Sequence, residues 1–318
     1  MSTVVVVGAG VVGLSIAHEL AVAGHHVRVV AERDGASCTS GVAAALWFPH
    51  AVEHSDRVLD SARYTLERLV ALADRPETGV RLRTGTVLFR QEDPDLSWTA
   101  AVPQWRRLPT TDLPAGTNGV ECTLPVVVTD VYLAWLRRTV VDLGVPITHR
   151  AVPSIDELRG DAETCDCIVV AAGIRSAELL GDDEHVFPIR GQIVRVANPG
   201  LSRWILDDEN PAGLTYIVPR DGDVVCGGTG EVGSWDETVR PDIEASILRR
   251  AVALEPALRG QPVLSRAVGL RPGRPNVRLG PVPGHPVPVY AAYGHGGAGY
   301  TLSWGDAATI AGLVNDLR

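Results

Sequence analysis

An α/β fold with a second, α+β domain inserted into it is predicted for this chain of 318 residues. Three observations predict it. Near the N-terminus, a glycine-rich turn lies between an apolar strand and a helix; in mid-chain, another buried strand runs into Ala171-Ala172-Gly173; and short strand signals recur from residue 187 to 230. The first two are typical of a parallel sheet covered by helices on both faces. The third indicates a mostly antiparallel sheet.

The N-terminal unit has the order strand, turn, helix, strand. Continuous β-branched residues predict a buried strand over residues 4 to 7, and helical periodicity predicts a helix over residues 12 to 23. Gly24 is placed to end that helix, and residues 27 to 31 predict the second strand.

The turn of this unit carries a nucleotide-binding pattern. Gly8, Gly10 and Gly13 have the spacing G-x-G-x-x-G, which permits a tight turn, close approach to a pyrophosphate and close helix-to-strand packing. Glu32 ends the second strand, where a carboxylate can accept hydrogen bonds from both ribose hydroxyls. The pattern predicts a Rossmann-like, dinucleotide-binding unit and leaves NAD and FAD open.

Composition excludes several classes of function. The net charge of −9 and the lack of any basic run argue against a nucleic-acid partner. All 29 basic residues are arginine, which removes mechanisms that need a lysine nucleophile or base. No apolar span of about 20 residues occurs, so the protein is not expected to cross a membrane. Five scattered cysteines indicate a reducing, cytoplasmic location.

The remaining pattern divides the chain into two domains. The dinucleotide-binding domain takes residues 1–58, 145–185 and 265–318, and the substrate-binding domain takes residues 59–144 and 186–264. Helices are predicted over residues 57 to 74, over 129 to 144 with Thr129 as N-cap, and over 241 to 258. Cys165 and Cys167 open a buried strand and are expected to be core thiols, so no metal site is predicted.

Two side chains are candidates for binding a carboxylate. Arg271 is followed by Pro272 and Gly273, which fix the backbone, and a rigid guanidinium can grip a carboxylate through two parallel hydrogen bonds. Tyr216 lies in an otherwise apolar predicted strand, and its hydroxyl could donate to the same carboxylate. Taken alone, either could equally be a surface or core residue.

Four ordered motifs resemble the D-amino acid oxidase family of FAD enzymes, which includes D-aspartate oxidase. They are VAAALWFP from residue 42, RGQIVRV from 190, GLRPGRPNVRL from 269 and YGHGGAGYTLSWG from 293. The resemblance implies a Rossmann-like FAD-binding domain with an inserted substrate-binding domain. It also implies non-covalent FAD, since the covalent relatives attach it through a cysteine of the C-terminal region and no cysteine follows Cys226.

The resemblance implies a reaction and its residues. A D-amino acid loses its α-hydrogen as hydride to flavin N5, no side chain acts as base, and the imino acid hydrolyses to a 2-oxo acid and ammonia while O2 becomes hydrogen peroxide. Arg271 would pair the substrate carboxylate, Tyr216 would hydrogen-bond it, and the Gly297 carbonyl would receive the amine. The implied FAD-binding residues are Gly8, Ala9, Gly10, Val11, Val12, Gly13, Glu32, Arg33, Thr39, Ser40, Val42, Ala43, Ala44, Ala45, Leu46, Val152, Gly173, Arg271, Gly296, Gly297, Ala298, Gly299, Tyr300 and Thr301.

The sequence departs from the family's pattern at two positions. Ala212 stands where mammalian members carry a lid tyrosine, so entry and release are expected to be less gated. Gly230 stands where the D-aspartate branch has an arginine for the second carboxylate, and a buried carboxylate without a cation is costly. Neutral, apolar D-amino acids are therefore the expected substrates.

Several alternatives stay open. Among enzymes they are a D-aspartate or D-glutamate oxidase, a glycine-oxidase-like amine oxidase and an NAD-dependent dehydrogenase; outside enzymes, a flavin-binding protein without turnover. A homodimer is also left open.

The C-terminal glycines are expected to complement the N-terminal ones. Residues 289 to 293 predict a strand, residues 294 to 299 a loop with few side chains, and the next segment a helix whose N-terminus would favour the negative charge of reduced flavin. His295 is expected to be a structural neighbour of the site, because hydride transfer needs no base.

Overall fold

The computed structural model describes residues 1–49, 55–160, 165–181 and 183–317. Its helices are α1 (Val11–Val22), α2 (Thr39–Val42), α3 (Asp56–Ala73), α4 (Thr129–Asp142), α5 (Glu157–Gly160), α6 (Ser176–Leu180), α7 (Pro241–Leu254) and α8 (Gly299–Asn315). Its strands are β1 (Thr3–Ala9), β2 (His26–Asp34), β3 (Val80–Phe89), β4 (Trp105–Arg107), β5 (Asn118–Val127), β6 (Ile147–His149), β7 (Cys167–Val170), β8 (Phe187–Ala197), β9 (Trp204–Asp207), β10 (Thr215–Pro219), β11 (Asp223–Gly227), β12 (Glu231–Val232), β13 (Val263–Gly273), β14 (Arg278–Val282) and β15 (Val289–Tyr293).

The first sheet has the strand order β14-β15-β7-β1-β2-β6 and is parallel except for the β14–β15 pair. The valines at the centre of β1 are inaccessible to solvent, because helices and loops cover both faces of the sheet. Gly24 follows α1 with φ +84°, a left-handed value that glycine adopts without strain. The predicted strand-turn-helix-strand unit is confirmed.

The second sheet has nine strands in the order β12-β8-β11-β10-β9-β3-β5-β4, with β13 also paired to β8. All its pairings are antiparallel except β3 with β9. A small core between this sheet and α7 includes Val194, Ile217 and Ile247. The predicted α/β architecture with a second, mostly antiparallel sheet is therefore confirmed.

Some element boundaries differ from their predictions. Thr129 is the first residue of α4, and the N-cap is Val128, because the Thr129 hydroxyl donates instead to the Gly41 carbonyl at 3.1 Å. Helix α7 ends at Leu254, before Pro256, since the residue preceding a proline disfavours helical geometry. The small-residue segment after Cys38 begins with a short helix, α2.

The residue ranges of the two domains stay a prediction. Strand β13 pairs along its length with β8 of the second sheet, although most of it falls in the range 265–318. Helix α3 packs so closely on α8 that a Cβ at Gly305 would lie 2.4 Å from Ser61 Cα. Helix α4 binds α8 through a 2.8 Å hydrogen bond from Trp304 Nε1 to the Tyr132 hydroxyl. Strand β13 therefore belongs to the nine-stranded sheet, although its range was assigned to the dinucleotide-binding domain. Helices α3 and α4 pack on α8, although their ranges were assigned to the substrate-binding domain.

The helices described by the structure are all too short or too polar to span a lipid bilayer. All five cysteines are free thiols.

Candidate active site

A cavity of about 440 Å³ lies between the two sheets and is lined by residues of both. The N-terminal glycine turn and the C-terminal glycine loop, distant in sequence, both open onto it. Their meeting follows from the sheet order, which brings β15 within two strands of β1.

The N-terminal turn is shaped by close backbone packing. Gly8 has φ +117°, and a Cβ there would lie 2.3 Å from the Ala171 carbonyl oxygen. A Cβ at Gly13 would lie 2.1 Å from the Gly8 carbonyl oxygen, so α1 begins hard against the turn. Only glycine fits either position, and the start of α1 thereby lies on the cavity wall.

Side chains around this turn complete the first end of the cavity. The Ser40 hydroxyl accepts a 3.0 Å hydrogen bond from the Val11 amide. The exposed Glu32 carboxylate lies at the end of β2, 3.6 Å from an Arg175 nitrogen. Arg33 forms a 2.9 Å ion pair with Glu237, which lies in the connection between β12 and α7. Anionic phosphates suit the helix start, and hydroxyl donors suit Glu32.

Small side chains form the middle of the cavity. The residues from Val42, which ends α2, through Leu46 carry only aliphatic side chains and line the space. The segment is fixed by a 2.9 Å bond from the Val127 amide to the Ala45 carbonyl and by a bridge between Leu46 and Val126. A flat ring system can lie against such a surface without meeting a long side chain.

The C-terminal loop forms the other end. The Gly296 amide donates to the Pro272 carbonyl at 2.9 Å, which ties the loop to the end of β13. Helix α8 then begins at Gly299, with Ala298 as an N-cap that makes no side-chain hydrogen bond. The Tyr300 hydroxyl donates to the Ser40 carbonyl at 3.0 Å, so the start of α8 is joined to the segment near α1.

The Arg271–Tyr216 pair lies against this second end. Nη1 of Arg271 donates to the Thr229 carbonyl at 2.8 Å. Tyr216 is 9% exposed, and its ring covers Gly227 so closely that a Cβ there would lie 2.0 Å from the ring. Burial raises the pKa of Tyr216, although the Arg271 cation opposes the shift, so its hydroxyl remains a donor.

His295 lines the cavity but is held from behind. Its Nε2 lies 2.9 Å from Oδ2 of Asp306, and the other carboxylate oxygen accepts a 2.7 Å bond from the Ser61 hydroxyl. All three side chains are buried. This arrangement fits the predicted structural role.

Most of the residues proposed from the sequence are brought together on the cavity wall. They are Gly8, Ala9, Gly10, Val11, Val12, Glu32, Arg33, Thr39, Ser40, Val42, Ala43, Ala44, Ala45, Leu46, Val152, Gly173, Tyr216, Arg271, Gly296, Gly297, Gly299 and Tyr300. Three others lie behind the wall. Gly13 packs under the turn, Ala298 is fully buried, and the Thr301 hydroxyl bonds the backbone of Phe48 at 2.8 and 3.1 Å.

Sequence reasoning missed the segment from residue 233 to 239, which brings Trp235 and Glu237 to the cavity. Arg190, wholly buried, fixes this segment by donating to the carbonyls of Asp236 at 2.7 Å and Thr238 at 2.5 Å. The RGQ motif at residue 190 was the available signal, because a buried arginine needs several acceptors nearby.

Apolar residues in and next to β9 and β10 were also missed. Leu206, Leu214 and Val218 line the cavity together with Tyr216, and so does Asp208. Alternation along a strand pair could have placed them, since residues two apart share a face. No group of metal-ligating side chains occurs within the described ranges.

The chain is similar in sequence and fold to known proteins. A family model described as "DAO: FAD dependent oxidoreductase" matches residues 3–313. This chain belongs to that family. It is 47% identical to a protein named D-amino-acid oxidase from Rubrobacter xylanophilus, over 98% of this chain and 96% of the relative. It is 34% identical to the human protein named D-aspartate oxidase, over 98% of this chain and 94% of the relative.

A solved structure shares the fold of this DAO-family chain. The glycine oxidase of Geobacillus kaustophilus superposes with a TM-score of 0.84 at 22% identity, covering 99% of this chain and 95% of that one. The family and its relatives identify the protein as an FAD-dependent oxidoreductase. FAD is therefore the cofactor, and the NAD-dependent alternative is set aside.

The residues present fit FAD. The side-chain-free turn at Gly8 and Gly10, which lies on the cavity wall at the start of α1, suits the pyrophosphate, and Glu32 suits the ribose. The methyl-lined segment at 42–46 and the start of α8 suit the flavin ring.

Proposed function

We propose that this protein oxidises D-amino acids, with neutral and apolar side chains preferred. The observation that carries the proposal is the Arg271–Tyr216 pair, a cation and a hydroxyl donor on the cavity wall next to the C-terminal glycine loop. The 47% identical relative named D-amino-acid oxidase supports the same activity.

Three groups would hold the substrate. Arg271 donates to the Thr229 carbonyl and interacts with the Tyr216 hydroxyl, and its remaining N–H groups would serve a carboxylate. Tyr216 would donate its hydroxyl to the same carboxylate, and the Gly297 carbonyl would accept from the amine. With the carboxylate and the amine held, the α-hydrogen of only one enantiomer would face the flavin, because the side chain of the other enantiomer would take that position.

When bound, FAD would supply the acceptor for the hydride from the α-carbon, and O2 would accept the two electrons in turn, giving hydrogen peroxide. The protein's part is to position and polarise the substrate rather than to remove a proton from carbon. His295 is engaged with Asp306, in keeping with a role outside proton transfer. The imino acid leaves and hydrolyses to a 2-oxo acid and ammonia.

Charges on the cavity wall support neutral substrates. The arginines on the described wall are Arg33, Arg175 and Arg271, and the first two pair with Glu237 and Glu178. Gly230, where a second cation was considered, is exposed and lies off the wall. Leu206, Leu214 and Val218 offer an apolar surface instead, so a second substrate carboxylate would lack a partner there.

A D-aspartate oxidase is the second candidate, because the human relative of that name is 34% identical. Turnover of D-aspartate well above that of D-valine would favour it. We also propose a cytoplasmic location, which the five free thiols support and which cell fractionation tests. A homodimer is tested by light scattering of the holoenzyme.

The substitution Arg271→Leu tests the proposal. It should raise the KM for D-valine at least about 100-fold, because a charged, bidentate pair is lost, while the flavin absorbance stays. Arg249→Leu, an exposed arginine of α7, is the matched control and should change neither quantity. Loss of flavin from Arg271→Leu, or an unchanged KM, would contradict the assigned role.

A further inference from the structure

Arg250 of α7 is a buried cation that contacts the strands around Tyr216. Its side chain is 8% exposed. It donates to the Leu214 and Gly228 carbonyls at 3.2 and 2.9 Å, to the Thr215 hydroxyl at 3.1 Å, and to the Ser246 hydroxyl of its own helix at 2.7 Å.

All four of these acceptors are neutral. Within the part of the chain that the structure describes, no carboxylate forms an ion pair with Arg250, and burial lowers its pKa. A buried charge compensated by dipoles alone is costly, and an apolar side chain of similar volume would avoid that cost. The arrangement therefore calls for a reason other than packing.

The two bonded carbonyls flank Tyr216. Leu214 lies on the cavity wall just before β10, and its carbonyl also accepts from the Gly228 amide at 2.9 Å. Gly228 lies under the Tyr216 ring, where a Cβ would be 2.8 Å from the hydroxyl oxygen. Arg250 thus fixes the backbone on both sides of that ring.

The same contacts extend to Arg271. Thr229, the residue after Gly228, provides the carbonyl that accepts from Arg271 Nη1 at 2.8 Å. Gly228 is held by Arg250 on its carbonyl and by Leu214 on its amide, so the position of Thr229 is set as well. The planar fork of arginine reaches both carbonyls and the Thr215 hydroxyl at once, which a lysine ammonium cannot do with the same geometry.

We propose that Arg250 is a positioning residue for the substrate carboxylate: it joins the ends of β10 and β11 so that Tyr216 and Arg271 present their donors to one ligand. The inference rests on the proposed function, since it assumes a carboxylate bound by that pair. A residue that only anchored α7 would change stability without changing carboxylate affinity.

The test compares Arg250→Met, Arg250→Lys and the control Arg249→Met in the FAD-loaded protein. Arg249 is the exposed neighbour on α7, so its change removes a cation from the same helix without touching the strands. Three quantities are measured for each: the Kd of benzoate, a carboxylate without an amine, from its effect on the flavin absorbance; KM and kcat for D-valine; and the Tm.

We expect Arg250→Met to raise both the Kd of benzoate and the KM for D-valine by about tenfold or more, which corresponds to about 1.4 kcal/mol. Its kcat should change less than about threefold. Arg250→Lys should fall between the wild type and Arg250→Met, and Arg249→Met should match the wild type. If Arg250→Met yields no folded protein, the lysine variant decides.

A lower Tm for the Arg250 variants with wild-type Kd and KM would overturn the inference and leave a purely structural role. The proposed function fails separately: in that case the wild type itself would neither bind benzoate nor oxidise D-valine.

Discussion

The guanidinium of Arg271 occupies the space above Gly191. A Cβ at Gly191 would lie 2.5 Å from Nη1 and 2.6 Å from both Cζ and Nη2 of Arg271. Arg271 pairs with Ile189 across β8 and β13, two residues from Gly191 on the same face, so its side chain folds back over the glycine. The glycine of the RGQ motif thus sets the position of the candidate substrate-binding arginine.

Gly191→Ala should displace Arg271 and weaken substrate binding. The added methyl group cannot coexist with the observed guanidinium, so the KM for D-valine should rise about tenfold while FAD stays bound. Gly230→Ala is the matched control, because the atom nearest to its Cβ, Cγ2 of Ile189, would be 3.9 Å away. Steady-state kinetics and flavin absorbance measure both effects, and an unchanged KM in Gly191→Ala would contradict the assigned role of Arg271.

Carboxylate binding should be independent of pH up to about pH 10. Burial raises the pKa of Tyr216, so the hydroxyl stays protonated and keeps donating above the usual titration range of tyrosine, near 10. The Kd of benzoate, which carries no amine to titrate, measures this from neutral pH upward. Tyr216→Phe should bind benzoate more weakly, and its Kd should be equally independent of pH. The prediction is refuted if the Kd of the wild type rises below about pH 9 while that of Tyr216→Phe does not.

His295→Gln should lower stability more than activity. The substitution disturbs the buried 2.9 Å bond to Asp306, and losing one such bond typically costs about 1–3 kcal/mol of the free energy of unfolding. Ser61→Ala, which removes the hydroxyl donor to the other Asp306 oxygen and leaves Arg57 3.6 Å from it, is the matched control. Denaturant unfolding and the pH profile of kcat/KM are measured; a kcat drop of more than about 100-fold at full FAD content would make His295 catalytic.

Product release should not limit turnover. The connection at 208–214 is a short turn, in which Asn210 Nδ2 donates to the buried Asp207 carboxylate at 2.9 Å and the Ala212 amide donates to Asn210 at 2.9 Å. We expect kcat to equal the rate of flavin reduction measured by stopped flow and to be insensitive to added viscosogen. A kcat well below the reduction rate that falls with viscosity would show gating.

The parallel sheet and the N-terminal turn were predictable because their signals are local. β-branched runs, Gly8, Gly13 and Gly24 each report a backbone requirement within a few residues. The placement of α3 and α4 was not predictable in this way. It depends on contacts such as Gly305 with Ser61, which join segments more than 200 residues apart.

The candidate site was predictable to the extent that it follows motifs. Arg271, Tyr216 and the glycine loop stand in sequence patterns, and the structure brings them to one cavity. Arg250 and Trp235 are not part of any recognisable sequence pattern, because an arginine in a helix and an exposed tryptophan have no distinctive local signal. Their roles depend on which backbone carbonyls and cavity surfaces the fold brings near them.

The proposed function is tested most directly by hydrogen peroxide formation by the FAD-loaded protein with matched pairs of D- and L-amino acids, namely valine, methionine, phenylalanine and aspartate, together with glycine. We expect peroxide from D-valine, D-methionine and D-phenylalanine, with kcat/KM well above that for D-aspartate and glycine and no turnover of the L enantiomers. Peroxide from the L enantiomers, faster turnover of D-aspartate or glycine, or no peroxide with any of them would contradict it.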